Sequence, residues 1–207
     1  MENKIDYQKK ALKHFRLSII DAKLAYTLFK SLYQSRDKEF VGEELFEKYF
    51  WTQKQHNIFV LIEHNAVDAF IVKVLHGFDK DKRSLTLKDI DETEYEKFIS
   101  DTKNKKVLDG IRTLRNKSTA HFNKDQKHKK ELPPFKDIDS FFERLQNFYN
   151  KLSGNIEDSV TIFEQDRDLK RGLEKMLQNL YVGEKIRLLN IDVEWKWNKN
   201  PKKISER

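Results

Sequence analysis

Val107-Leu108-Asp109-Gly110-Ile111-Arg112-Thr113-Leu114-Arg115-Asn116-Lys117-Ser118-Thr119-Ala120-His121 carries apolar side chains at 107, 108, 111 and 114 and then turns polar. Gaps of three and four residues follow the 3.6-residue turn, so the stretch reads as a helix with one buried stripe. The stripe runs directly into Arg115, with Asn116 beside it and His121 six residues further on. The motif therefore lies at the end of a helix or within one.

The same period extends in both directions. Upstream, Ala11, Leu12, Phe15, Ile19, Ala22, Tyr26, Phe29 and Tyr33 predict a first amphipathic helix from about Ile5 to Tyr33. Ser35 to Lys38 and Gly42 break it. A second helix resumes from about Leu45 and stops at Gly77; it is apolar around much of its circumference, which suits a bundle centre or an oligomer face. Leu85 to Ile90 reads as a turn and a short helix after Ser84, and Glu94 to Ser100 as another. Downstream, Asn123 to Lys136 is lysine-rich, includes His128 and holds Pro133-Pro134, which predicts an exposed loop. Asp137 or Asp139 can cap the next helix, whose apolar positions are Ile138, Phe141, Phe142, Leu145, Phe148, Tyr149 and Leu152. Ser153-Gly154-Asn155 reads as a break, followed by a helix from about Glu157 to Leu180, a short strand or arm from Ile186 to Val193, and a mobile lysine-rich end. Strand alternation is scarce, no repeat is visible, and the class is all-α: an up-and-down helical bundle with a C-terminal helical extension. Residues 1–152 form the bundle; residues 153–207, a helix and basic tail, pack on the same domain.

Composition narrows the chemistry. The 207 residues contain no cysteine, which removes disulfides, thiolate catalysis and the usual structural zinc ligands. MENKIDYQKK lacks the apolar stretch of a signal peptide, and no run approaches the length of a membrane span, so a soluble cytoplasmic protein with no membrane partner is expected. The formal charge is only +7, a weak indication by itself. Between Asp101 and Lys136, however, eleven basic side chains face four acidic ones, a surplus equal to that of the whole chain. A phosphate clamp, a titratable imidazole and a field of lysines thus fall in one segment, and the polyanion that suits them is RNA.

RNA cleavage needs a base to take the 2′-OH proton, an acid for the leaving 5′-oxygen, and positive charge on the transition state. His121 can transfer protons, Arg115 can grip two phosphate oxygens, and Asn116 can orient the imidazole or bind a phosphate oxygen. On an ideal helix Arg115 and His121 are about 120° apart, so the helix bends or the long Arg side chain wraps round. Ser118 and Thr119, mediocre helix formers, make a local irregularity plausible. The ordinary alternative is a surface Arg and a His that caps the carbonyls at the end of a basic helix.

Leu114-Arg115-Asn116-Lys117-Ser118-Thr119-Ala120-His121 resembles the signature of the HEPN superfamily, in which an Arg and a polar neighbour precede a His by a few residues. Together with the long apolar helix and the Ser-Leu-Thr-Leu stretch spanning Val67 to Leu87, it looks like the abortive-infection (Abi U-type) branch, over about residues 40 to 150. The resemblance implies a HEPN-type bundle of four or five helices, and a homodimer that brings two motifs into one cleft. It also implies endoribonuclease activity that needs no metal and no cofactor, in a toxin or antiphage effector with a possible antitoxin partner. Arg115, Asn116 and His121 would be catalytic; Lys117, Asn123, Lys124 and Lys127 would contact RNA. Two departures stand out: Asn123 occupies the place where one branch carries a Tyr, and the first acidic residue behind His121 is Asp125.

The lysines from Lys124 to Lys130 equally suit a solvated loop. His64 and Asp68 are four residues apart on the second helix but lack a third ligand of convincing spacing, so they read as polar positions near a core or dimer face; Glu63-His64 could line the cleft. Trp195 and Trp197 suit burial against the bundle better than base stacking. Beside the ribonuclease stands a second reading, a non-catalytic RNA- or protein-binding module of the same fold in a defence or toxin–antitoxin system. A third is a helical interaction protein with no nucleic-acid role.

Overall fold

Six α-helices account for nearly all of the described residues, which in this computed structural model are 4–34, 55–78, 85–118 and 132–188. We label them α1 (Lys4–Gln34), α2 (Gln55–His76), α3 (Glu92–Ser100), α4 (Thr102–Ser118), α5 (Phe135–Glu157) and α6 (Gln165–Leu188). Among the described residues there is no strand, and the fold is all-α. None of these helices is long and apolar enough to cross a membrane.

The expected stripe of α1 is buried from Ala11 to Phe29, but it ends on Leu32 rather than Tyr33, which is half exposed. A 3.6-residue turn drifts against a run of gaps of four, so position 32 reaches the inner line first. Helix α2 lies antiparallel to α1, with Lys73 on Asp21 at 2.7 Å and Tyr26 against Phe70. It buries Ala66, Phe70, Ile71, Val74 and Leu75 and leaves Leu61, Ile62 and Val72 exposed on the opposite side. The expected beginning of this helix, from Leu45 to Lys54, lies outside the described residues.

Gly77 ends α2 and accepts the Leu87 N–H at 3.1 Å. A Cβ there would lie 2.9 Å from Leu87 Cδ1, so the missing side chain lets the returning chain close on the helix end. The returning chain forms a 3-10 turn, Leu87–Asp89, fastened by the Asp89 carboxylate accepting from the Thr86 N–H and hydroxyl. Asp91 caps α3 by accepting from the Glu94 N–H, and Asp101 caps α4 by accepting from those of Lys103 and Asn104. Phe78, Phe98, Phe141 and Phe148 stack or tilt together and join α3 and α5 to the end of α2.

Helix α5 corrects two expectations. It starts at Phe135 with Pro134 at its cap, and neither Asp137 nor Asp139 caps it. The fixed φ of proline suits a helix entrance, and both carboxylates are engaged elsewhere: Asp137 with Lys106, Asp139 with Tyr26 and Lys30. Ser153-Gly154-Asn155 does not break the helix, which continues to Glu157 and ends at Asp158 with φ 49°. Ser153 is fully buried with its hydroxyl satisfied by Ser159 on the returning chain, and the Asn150 side-chain amide donates to the Thr161 carbonyl and accepts from the Thr161 N–H. This strap displaces the start of α6 from the expected Glu157 to Gln165. Lys23 fixes the junction, donating to the Phe163 carbonyl at 2.7 Å and pairing with Asp166 at 3.0 Å. Ile186 to Leu188, expected as strand or arm, is helical; the remainder of that segment, Trp195, Trp197 and the lysine-rich end lie outside the described residues.

Candidate nucleic-acid interface

Helix α4 carries the first half of the Arg-Asn…His motif. Its inner line is Asn104, Val107, Leu108, Ile111 and Leu114, all buried. Arg115 follows about 40° round the axis from Ile111 and is half-buried at the edge of this line; Asn116, about 100° further, is exposed. The two therefore diverge, Arg115 along the seam with the bundle and Asn116 toward solvent. The helix reaches Ser118, and the side chain of Lys117, together with His121, Asn123, Lys124 and Lys127, lies outside the described residues. Of the paired positions on α2, Glu63 is buried while His64 and Asp68 are exposed, so Glu63 and His64 do not line one surface. The His56 side chain is outside the described residues, among which no three His, Asp or Glu side chains gather as a metal site would require.

A groove that the charge count did not single out runs between α4 and the first turns of α5. Lys103, Lys106 and Val107 form one wall, and Lys136, Asp137, Ser140 and Arg144 the other, around a cavity of about 270 Å³. The helices are antiparallel here: Lys106 Nζ meets Asp137 Oδ2 at 3.2 Å, while Gly110 faces Pro133 so closely that a Cβ would lie 2.7 Å from its ring. Asn104, 3% exposed, accepts from Arg144 Nε at 2.6 Å and donates its own amide to the Phe98 carbonyl. Its orientation is thereby set on both sides, and it holds the arginine at the groove. Four cations and one carboxylate face the cavity, and this arrangement attracts anions.

Lys103 and Lys106 share an edge of α4, and Lys136, Ser140 and Arg144 recur every four residues on α5. That polar stripe was readable in the sequence, but α5 is recognised by its apolar positions, and only the packed pair of helices shows that two polar edges face each other. The ionisable groups with shifted protonation lie mostly away from the groove. Glu94 on α3 is held below the usual carboxylate range, first by Lys151 of α5 and then by Lys97. Burial, reinforced by Asp139, pushes the Tyr26 phenol far above its usual range.

Residues 9–174, more than half of the chain, match the HEPN family model described as AbiU2. No curated protein and no solved structure matches it.

Proposed function

The chain belongs to the AbiU2 family, in the abortive-infection branch of the HEPN superfamily, and from that membership we propose that it is a metal-independent endoribonuclease acting in defence against phage. The observation that carries the reading is the Arg115-Asn116…His121 motif on a chain of this family, with Arg115 at the edge of a helix whose neighbouring groove is basic. RNA brings its own nucleophile, the 2′-OH. His121 transfers the proton, Arg115 binds two oxygens of the scissile phosphate through its planar fork, and Asn116 supports the arrangement. One protomer has one such imidazole and the reaction uses two proton transfers. A two-fold homodimer that places both His121 side chains across one cleft supplies them. The action is cytoplasmic, an antitoxin protein restrains it, and Lys117, Asn123, Lys124 and Lys127 add phosphate contacts. Residues 1–152 together with the rest of α5 form the catalytic bundle, and the remainder to residue 207 is its extension.

Purified protein should cut single-stranded RNA in excess EDTA, leave a 2′,3′-cyclic phosphate and spare an all-deoxy strand. His121→Ala should abolish cleavage with the helical content intact. Cleavage by that variant at the parent rate would sink the assignment, whereas salt-sensitive RNA binding without any cleavage by the parent would make the protein a binding module of the same fold.

A further inference from the structure

We propose that the α4–α5 groove is a phosphate-binding site that grips the backbone of an RNA strand away from the bond being cut. Three independent features make it a site for an anion. Lys103, Lys136 and Arg144 have no carboxylate partner among the described residues, so three of the four cations around the cavity are not neutralised by an ion pair. The guanidinium of Arg144 is fixed by buried Asn104 through Nε, and among the described residues nothing engages its two terminal nitrogens, which suits a planar, two-oxygen grip. The N-terminus of α5, a helix of 23 residues, opens beside Lys136 with no side chain capping it, and its dipole adds positive potential at the same place.

The lining also says what part of a ligand fits. Among the described residues no aromatic ring borders the cavity, so it offers no ring for a base to stack on; Ser140 adds a hydroxyl donor and Val107 a small apolar floor. A volume of about 270 Å³ lies just below the range of roughly 300–1,000 Å³ occupied by pockets for whole drug-sized ligands. Both facts suit a phosphate group and its sugar rather than a nucleobase. Lys103 and Lys106 lie nine to twelve residues before Arg115 on one helix, about 14 to 18 Å along its axis, a distance that takes a strand several nucleotides from the motif. The choice of an RNA strand as the source of the phosphate rests on the ribonuclease reading; the anion site does not.

The test uses the full chain with Lys103→Gln and Lys136→Gln, both exposed in the parent, beside a charge-matched control, Lys9→Gln with Lys10→Gln on α1. One probe is inorganic pyrophosphate, titrated calorimetrically. The other is a 2′-O-methyl oligonucleotide, which has no nucleophile and is scored by binding whether or not the protein cuts RNA. Loss of pyrophosphate binding in the groove variant alone is expected. Its oligonucleotide affinity should have a salt slope shallower by about 0.7 per lost phosphate, roughly fivefold weaker binding at 0.1 M salt. Pyrophosphate binding lost with oligonucleotide binding equal to the control keeps the phosphate site but overturns the strand, assigning the groove to a small phosphorylated molecule. Equal behaviour of groove variant and control toward both probes overturns the proposal, as does preferential binding of an acidic peptide over either phosphate probe. Normal groove binding in a protein that never cleaves RNA sinks the ribonuclease and leaves this site standing.

Discussion

Arg144 Nε donates to Asn104 Oδ1 at 2.6 Å, and Asn104 is almost completely buried, so a core side chain of α4 determines where a surface cation of α5 points. Replacing Asn104 by alanine strips the Phe98 carbonyl of its donor and frees the guanidinium at once. A buried acceptor left unpaired costs about 1–3 kcal/mol, which should appear as a lower urea midpoint at unchanged m-value. Oligonucleotide affinity should fall with it. An unaltered midpoint would mean that the hydrogen bonds are not formed.

Arg115→Lys keeps the charge and loses the planar fork. Cleavage should fall roughly 10²-fold or more, the scale on which a positioned transition-state donor acts, while the affinity for an uncleavable oligonucleotide changes little. Equal losses in both would make Arg115 a binding residue only.

The Tyr26 hydroxyl shares its one proton between Asp139 at 2.8 Å and the Phe135 carbonyl at 3.1 Å, which ties α1 to the start of α5. Burial and Asp139 keep the phenol protonated in the fold, whereas an unfolded tyrosine ionises near pH 10. The contribution is therefore whole below pH 10 and declines as the pH rises beyond it, because only the unfolded chain releases the proton there. Tyr26→Phe should lose about 1 kcal/mol at pH 7 and show a flatter decline in thermal midpoint between pH 10 and 12. Parallel pH profiles for variant and parent would contradict this.

Gly110→Val forces branched atoms into the space taken by Pro133, whose ring cannot swing aside. Overpacking of this kind costs about 1–3 kcal/mol. Calorimetry should give a lower melting temperature; an unchanged one would show that the entrance to α5 moves freely against α4.

Much of the fold was legible because apolar side chains at three- and four-residue gaps mark helices whatever they pack against. The inner faces of α1, α4 and α5 follow that spacing apart from Tyr33, where the period drifts. The errors arise where partners remote in sequence decide. Ser153, Gly154 and Asn155 look like a break, yet the Ser153 hydroxyl is satisfied by Ser159 and the helix continues. Asp137 and Asp139 look like caps, yet Lys106, Tyr26 and Lys30 draw them away. Of the candidate site, Arg115 and Asn116 are placed on α4 as expected, but the helix turns them to different sides. The groove escaped because Arg144 lies 29 residues beyond Arg115 on another helix and enters it through a buried asparagine.

The seat of Pro133 on Gly110 bears on how this protein can diversify. Helix α4 is capped and packed at its own start, and the entry into α5 is set by a proline against a glycine, so neither depends on the composition of the thirteen residues from Thr119 to Glu131. Changes in that interval that spare His121 and the RNA-contacting Asn123, Lys124 and Lys127 can thus accumulate and retarget the protein while the scaffold beneath stays the same.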